Sequence, residues 1–180
     1  MIKSIPPETA IRSYFHAKDE NRPHLLARVF AIDATLEIAN RSSAIAFPAV
    51  TNGREEIANV LVRTFGQTYE NVYSFCMARP VAGERRFVCK WLVAMSEKAS
   101  RDVRVGCGRY DWTFTEEPPH LASHLAITIE TMQVFPPDVL PTIFTWLDSL
   151  SYPWSSAAEA SERAPQIAGL APVLRYLNEA

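Results

Sequence analysis

Among the side chains that can transfer protons, three occupy positions that suit a common site: Tyr14, His124 and Glu130. Glu130 lies in a strand-like apolar run, and a carboxyl group held among apolar side chains has a raised pKa that suits a general acid or base near neutral pH. A phenol such as Tyr14 can donate a hydrogen bond to a developing oxyanion. His124 shares the strand face of Glu130 by alternation. These three residues are therefore the catalytic candidates.

Each candidate also has a purely structural interpretation, and the sequence leaves both open. Glu130 suits an exposed position or an ion pair with an arginine, and Tyr14 suits a core position with a hydrogen-bonded hydroxyl. Among the four histidines only His120 and His124 have HxxxH spacing, and they fall in a turn and a strand rather than on one helix; the three cysteines show no CxxC pattern. We therefore predict no metal site and no cofactor, and interpret the cysteines as buried, reduced thiols.

The composition excludes several classes of protein. The chain has 180 residues, of which 48% are hydrophobic and 21% charged, so it can bury a core of its own. A formal net charge of -2 argues against broad capture of nucleic acid or anionic membranes. No apolar run approaches the roughly 20 residues of a membrane span, and the first ten residues do not resemble a secretory signal. We expect a cytoplasmic protein.

The elements that must position the candidates begin with three helices. Apolar residues at helical spacing predict the first over 7–18; its stripe comprises Ile11, Tyr14, Phe15 and Lys18. Pro23 suits the first turn of a second, short helix. Asn52 is predicted to cap a third helix. The inner stripe of that third helix is predicted to comprise Ile57, Leu61, Thr64 and Phe65.

Strand patterns dominate the rest of the first three quarters of the chain. Alternation predicts a half-buried strand over 33–39 and four long strands over 71–79, 85–97, 103–115 and 121–135. The breaks between the long strands are short, which favours antiparallel neighbours because parallel neighbours need long crossovers. Helices followed by a strand meander predict an α+β fold, with helices on one face of a strongly bent antiparallel sheet.

Alternation also predicts which strand residues face a ligand. The inward, ligand-binding set on the strands and the third helix is Ile38, Leu61, Phe87, Trp91, Tyr110 and Trp112, and the resemblance described below adds Met132 to it. In the last strand both faces are partly apolar. One face carries His124, Glu130 and Met132, and the other carries Leu125, Ile127 and Ile129, so alternation alone does not decide between them.

The chain changes character after Phe135. Pro136 and Pro137 end the last strand, and apolar residues then recur at helical spacing over 138–150 and within 157–180. We predict an α+β domain over residues 1–135 and a C-terminal helical extension over residues 136–180, packed on that domain or on a dimer partner.

The order of elements resembles the nuclear transport factor 2-like (SnoaL-like, cystatin-like) superfamily over about residues 8–135. The resemblance rests on Tyr14 preceding Asp19 in the first helix and turn, and on three further stretches: 30–37 (FAIDATLE), 52–57 (NGREEI) and 129–134 (IETMQV). It implies a cone of sheet around helices, an apolar small-molecule pocket and a homodimer formed through the outer sheet face. Similarity to ketosteroid isomerases further implies that Met132, and by alternation Glu130, point inward.

The same resemblance narrows the chemistry. Ile38 stands where ketosteroid isomerases have their general base, which disfavours that route. Arg109 and Asp111 are similar to the Arg-x-Asp of limonene-epoxide hydrolases, but a cross-strand or interface ion pair is the favoured interpretation. Three hypotheses stay open: a cofactor-independent isomerase, dehydratase or cyclase, a protein that binds a small hydrophobic or aromatic molecule without catalysis, and an interaction module whose cavity is filled by side chains.

Overall fold

Helix α1 runs over Pro7–Asp19 in the computed structural model, which describes residues 3–180. Pro7 and Glu8 occupy its first turn. The first turn tolerates a proline, which lacks an N–H, and the helix dipole favours a negative charge there. A 3-10 helix follows over Pro23–Arg28 and also begins at a proline. Both helices confirm the prediction from the sequence, and α1 buries the face that carries Ile11, Tyr14 and Lys18.

The third helical segment consists of α2 (Arg54–Ala58), a π-helical stretch (Asn59–Thr64) and α3 (Phe65–Thr68). The prediction that Asn52 caps it is wrong. Asn52 ends a short strand and its side chain accepts a hydrogen bond from the Thr35 hydroxyl at 3.2 Å, while Gly53, at φ 87°, stands at the cap. Thr64 is exposed because the wider π turn rotates the stripe, so Val62 is buried instead.

Six strands form one curved sheet in the order β2-β1-β6-β5-β4-β3. The strand bounds are β1 Phe30–Asn40, β2 Val50–Asn52, β3 Tyr69–Cys76, β4 Arg86–Glu97, β5 Val103–Phe114 and β6 Ala122–Phe135. The antiparallel meander from β3 to β6 confirms the sequence prediction. β1 departs from it and pairs with β6 in parallel, because short turns constrain only strands that follow each other along the chain.

A bulge interrupts the pairing of β5 with β6. Cys107 pairs with Thr131 and Gly108 with Ile129, so Glu130 is an extra residue on β6. An extra residue shifts the alternation of side chains by one position. Ile127 and Ile129 therefore point inward before the bulge, and Met132 points inward after it.

The two faces of the sheet belong to two different hydrophobic cores. The inner core joins α1, the third helical segment and the inward side chains of the strands, including Trp91 and Trp112. The outer core contains Leu92, Val105 and Cys107 from the same strands. Three helices after β6 complete this outer core: α4 (Leu140–Asp148), α5 (Ala157–Glu162) and α6 (Ala171–Asn178).

The segment between α4 and α5 is attached to the end of β3. The Cys76 N–H donates to the Pro153 carbonyl at 2.8 Å, and the Ser155 N–H donates to the Cys76 carbonyl at 2.9 Å. These bonds form a short parallel bridge between Cys76 and Trp154. Residues 153–155 are called the β3 clamp below. Within residues 3–180, no helix has both the length and the apolar character that crossing a lipid bilayer requires.

Candidate functional site

An apolar cavity lies between the inner face of the sheet and the helices. It offers about 50 Å³ to the centre of a water-sized sphere, and about 470 Å³ when all space between atoms and the solvent at its mouth are counted. The smaller value describes the room inside the cavity, because the larger one includes open solvent. The enclosed space is therefore small, although its mouth is open.

Most of the ligand-binding candidates from the sequence line this cavity. Five of them do so: Ile38, Leu61, Trp91, Tyr110 and Met132. Phe87 and Trp112 do not line it, although both are buried and face inward as alternation predicts. Trp112 instead packs beneath the cavity wall, edge-on to Tyr14 with ring centres 5.1 Å apart. These two residues support the wall from behind.

The catalytic candidates are not brought together. Tyr14 lines the cavity and is buried. The expectation that Glu130 points inward with Met132 is wrong. The bulge at Glu130 interrupts the alternation, so Met132 lines the cavity and Glu130 does not. Glu130 instead lies 2.7 Å from the Arg41 guanidinium in an exposed ion pair.

His124 is also outside the cavity. Its Nε2 lies 3.3 Å from the Glu37 carboxylate on the outer side of the sheet, where both side chains are partly exposed. Asp111 lies nearby on β5 and is bound by Arg86 of β4 in a two-bond arrangement at 2.6 and 3.0 Å. Arg109 approaches the same carboxylate at 3.6 Å. Asp111 of the Arg-x-Asp pattern is therefore the acidic member of a cross-strand ion pair with Arg86, and Arg109 approaches that pair from its own strand.

Lys18 is a charged residue of the cavity wall that was not among the functional candidates from the sequence. Its side chain is 8% exposed, lines the cavity and places Nζ 5.1 Å from the centre of the Phe65 ring, another part of the wall. Lys18 follows Tyr14 by four residues on α1, and this spacing places the two side chains on the same face of the helix. Lysines near helix ends usually reach solvent, so the spacing was not decisive.

Lys18 is held by an ordered chain of hydrogen bonds. The Lys18 ammonium donates to the Ser74 hydroxyl at 2.7 Å, and that hydroxyl donates to the Asp19 carboxylate at 2.8 Å. Asp19 also lies 3.0 Å from Lys18 Nζ and accepts from the Ser74 N–H at 2.8 Å and the Tyr152 hydroxyl at 3.4 Å. Buried charges require this kind of pairing. Lys18, but not Asp19, lines the cavity.

The two tyrosines of the cavity remain neutral at ordinary pH. Burial raises the pKa of Tyr14, and a hydrogen bond with Tyr110 opposes that rise in part. Burial likewise raises the pKa of Tyr110 well above its usual value, and the nearby Tyr14 adds to the effect. Both phenols therefore retain their protons. One proton is used in the hydrogen bond between the two tyrosines, and the other can be donated toward the cavity.

Two glycines of β5 create room at the inner face. A Cβ added to Gly108 would stand 2.6 Å from Cζ2 of Trp91 and 1.8 Å from the Thr128 carbonyl oxygen. A Cβ on Gly106 would stand 2.5 Å from Cε of Met132. The absence of these side chains lets Trp91 and Met132 lie flat against the strand. The glycines therefore set the shape of the cavity wall.

The thiols and acidic groups do not add a metal site. Cys76, Cys89 and Cys107 are buried and free. Burial raises the pKa of the Cys76 and Cys107 thiols, for Cys107 to about 12. Among residues 3–180, no three His, Cys, Asp or Glu side chains are grouped in a way that could hold a metal ion.

Known protein-family models do not match this chain, and neither does any curated protein sequence. Many solved structures, however, share its fold. A nuclear transport factor 2-like superfamily protein from Salmonella enterica serovar Typhimurium is 18% identical, with a TM-score of 0.53 over 67% of this chain and 85% of that one.

Two further structures extend the comparison. A hexachlorocyclohexane dehydrochlorinase (LinA) of type 2 is 11% identical, with a TM-score of 0.56 over 70% of this chain and 84% of its own. A protein with a ketosteroid isomerase-like fold from Catenulispora acidiphila, solved with trimethylamine, is 19% identical, with a TM-score of 0.51 over 66% and 82%. The chain therefore has the nuclear transport factor 2-like fold. At these identities the similarity establishes the fold and does not transfer an activity.

Proposed function

We propose that this chain binds a small, mainly apolar molecule in the cavity, with a hydrogen-bond acceptor of that molecule directed toward Lys18 and the two phenols. The observation that carries the proposal is a buried ammonium group that lines an otherwise apolar cavity. Small-molecule sites have this composition, in which apolar walls supply affinity and a few polar groups fix orientation. The interaction-module hypothesis is disfavoured, because side chains do not fill the cavity.

Methionine methyl groups allow a direct test with 2-butanone, a small neutral ketone. Met95 and Met132 line the cavity and Met77 does not, so Met77 is an internal control. We expect NMR titration with 2-butanone to shift the Met95 and Met132 methyl signals and leave Met77 unchanged. Val93→Phe, which places a ring in the cavity, should abolish these shifts. Val88→Phe, on the exposed face of the same strand, is the matched control.

Two outcomes of this titration count against the proposal. One is the absence of any methyl shift at ligand concentrations that saturate small apolar sites. The other is equal shifts at Met77, Met95 and Met132, or shifts that persist in Val93→Phe, since either result would show binding outside the cavity.

A second candidate function is proton transfer, as expected for an isomerase, dehydratase or cyclase that needs no cofactor. It is favoured by the Lys18–Ser74–Asp19 chain, which can hold or deliver a proton at the edge of the cavity. In this version Lys18 takes over the role that the sequence suggested for Glu130, with Tyr14 as the hydrogen-bond donor. The folds of a dehydrochlorinase and of a ketosteroid isomerase-like protein are compatible with it.

Exchange of protons next to the carbonyl of 2-butanone in deuterated water separates the two candidates. A catalytic cavity should accelerate this exchange above the buffer rate, and Lys18→Met should remove the acceleration. Lys98→Met, which changes an exposed lysine, is the control. Exchange at the buffer rate by a protein that binds 2-butanone would leave only the binding function.

The homodimer expected from the sequence also stays a proposal. Helices α4–α6 already cover one part of the outer sheet face. A second copy of the chain therefore has the uncovered part available, where Val88 and Ala126 lie between charged neighbours.

A further inference from the structure

The cavity presents hydrogen-bond donors and no carboxylate. Its polar or ionisable lining side chains, within residues 3–180, are Tyr14, Lys18, Trp91 and Tyr110. An ammonium and an indole N–H can only donate, and the two phenols, which share one hydrogen bond, have one proton left to donate. The polar part of a ligand must therefore accept hydrogen bonds.

The Lys18–Asp19 pair is neutral as a whole but directs its positive end at the cavity. Asp19 lies behind Lys18, and its oxygens are occupied by Ser74, Tyr152 and Lys18 itself. The ammonium has three protons, and Ser74 and Asp19 account for two contacts. One donor position remains on the group that borders the cavity, which is the position a ligand oxygen would take.

Trp91 supplies an independent observation. Its side chain is 4% exposed and lines the cavity, and its indole Nε1 has no hydrogen-bond partner within residues 3–180. A buried donor without a partner costs roughly 1–3 kcal/mol, so such groups usually indicate a missing water or ligand. Gly108 permits the indole to lie against β5, and this fixes the position of its ring.

The aromatic walls do not suit a cation. Trp91 and Tyr110 could face one, since aromatic rings attract positive charge. The protein's own ammonium, however, already lies over the Phe65 ring at 5.1 Å. A cationic ligand in this small space would meet Lys18 at short range and be repelled.

The size of the cavity limits the ligand further. A water molecule needs about 10–15 Å³ of space measured at its centre, so about 50 Å³ admits roughly three to five atoms of that size. A cavity that binds benzene measures about 150 Å³. Steroid-sized molecules are therefore excluded from the enclosed part, and a larger ligand can only extend through the mouth.

We propose that the ligand of this cavity is a compact monocarboxylate of about five non-hydrogen atoms, or a longer molecule that inserts such an end, with its carboxylate at Lys18 and the Trp91 indole N–H. The inference rests on the proposed binding function and specifies its ligand class. Hydrogen bonds that include an ionised partner are roughly twice as strong as neutral ones, which gives the carboxylate its advantage over a neutral acceptor.

Propionate and 2-butanone form a matched pair for the test, because they differ mainly in the exchange of a methyl group for a charged oxygen. Trimethylamine, protonated at pH 7.5, is the cationic comparison. We expect propionate to bind at least tenfold more tightly than 2-butanone, and trimethylamine to bind more weakly than either. NMR titration of the intact chain gives all three dissociation constants.

The indole N–H signals report where propionate binds. The chain has four tryptophans, and within residues 3–180 the indole nitrogens of Trp91, Trp112 and Trp154 have no partner, but of these only Trp91 lines the cavity. Propionate should therefore move one indole signal, that of Trp91, assigned by its loss in Trp91→Phe. The Trp112 signal serves as the control for a buried indole in the same core.

Variants of the ion pair test the role of charge. Lys18→Met should remove the preference, so that propionate and 2-butanone bind with about equal dissociation constants. Because this change leaves Asp19 buried and unpaired, the double variant Lys18→Met/Asp19→Asn provides a second measurement in a neutral background. Asp19→Asn alone removes the compensating charge behind Lys18 and should increase the preference.

The outcomes separate this inference from the proposed function. Binding of 2-butanone at the methionines, with propionate equal or weaker, would overturn the carboxylate and keep the binding function. A tenfold preference that survives in both Lys18 variants, or a propionate-induced shift confined to Trp112, would also overturn it. Binding of neither molecule to the cavity would contradict the proposed function itself.

Discussion

The two faces of the sheet are built from alternate residues of the same strands, yet one core is filled and the other is hollow. On β4 and β5 the outer face carries Leu92, Ala94 and Val105, against which the C-terminal helices pack. The inner face carries Trp91 and Tyr110, among the largest side chains of the chain. On these two strands, larger residues thus face the hollow core and smaller ones the filled core, so the space is not explained by small side chains; the glycines of β5 contribute to it.

The buried indole groups of the two cores also differ, in whether their N–H has a hydrogen-bond partner. In the outer core, Trp146 donates from Nε1 to the Ala160 carbonyl at 3.0 Å. In the inner core, the indole nitrogens of Trp91 and Trp112 have no partner within residues 3–180. The outer core is therefore organised for stability, whereas the inner one has unmet polar groups of the kind expected where a ligand binds.

The strongest test of this difference is Trp146→Ala. Loss of a buried tryptophan that also donates a hydrogen bond should lower the free energy of unfolding by about 3–5 kcal/mol, measured by urea denaturation. The affinity for 2-butanone should stay within twofold at temperatures where the variant is folded. Thr145→Ala, an exposed neighbour, should change the free energy by less than about 0.5 kcal/mol. A large loss of affinity in folded Trp146→Ala would mean that the cores are coupled.

A smaller effect is expected at the glycines of β5. Gly108→Ala forces a methyl group onto a backbone oxygen and the Trp91 ring, which should cost roughly 3 kcal/mol and weaken ligand binding. Gly106→Ala meets mainly the flexible end of Met132 and should cost about 1 kcal/mol. Thermal and urea unfolding give the loss of stability in each variant. An equal loss in Gly108→Ala and Gly106→Ala would contradict the assignment of Gly108 as the more tightly packed position.

The smallest effect is expected on the uncovered outer surface. A hydrogen bond from Arg86 lowers the pKa of Asp111 below its usual 3.8, so the ionised form stabilises the folded chain above that pH. This stabilisation should be lost as the pH falls from 3.8 through the lower folded pKa. Asp111→Asn should cost less than about 1 kcal/mol at pH 7, because the pair is partly exposed and salt screens it.

The control for this measurement is Asp138→Asn, which changes an exposed carboxylate. The difference between wild type and Asp111→Asn should disappear below the folded pKa, whereas the Asp138 variant should follow the wild type throughout. A difference that grows as the pH falls would show that the ion pair does not stabilise the fold.

Much of the fold was predictable because its elements have regular periods. Alternation correctly placed Trp91, Tyr110 and Trp112 on the inner face, and helical spacing correctly placed Tyr14. In the last strand the prediction failed at Glu130. A bulge depends on how two strands pair, so the hydrophobic pattern of one strand does not reveal it. Both alternation sets considered for that strand were correct over part of its length.

The polar part of the site was less predictable. Lys18 stands on the inner stripe of α1, but its burial depends on Ser74, which is distant in sequence and comes from β3. A long-range partner of this kind has no periodic signal. Gly106 and Gly108 are two residues apart and therefore lie on the same face of their strand. Two glycines on one face indicate that another group approaches the backbone closely there.

The β3 clamp has a consequence for how these molecules behave in a concentrated solution. β3 is the last strand of the sheet, and an open strand edge is a template onto which another polypeptide can add. Residues 153–155 already take up the free N–H and carbonyl groups of Cys76, so the chain itself occupies the Cys76 end of this edge. The opposite edge is β2, only three residues long, which offers little length for intermolecular sheet growth.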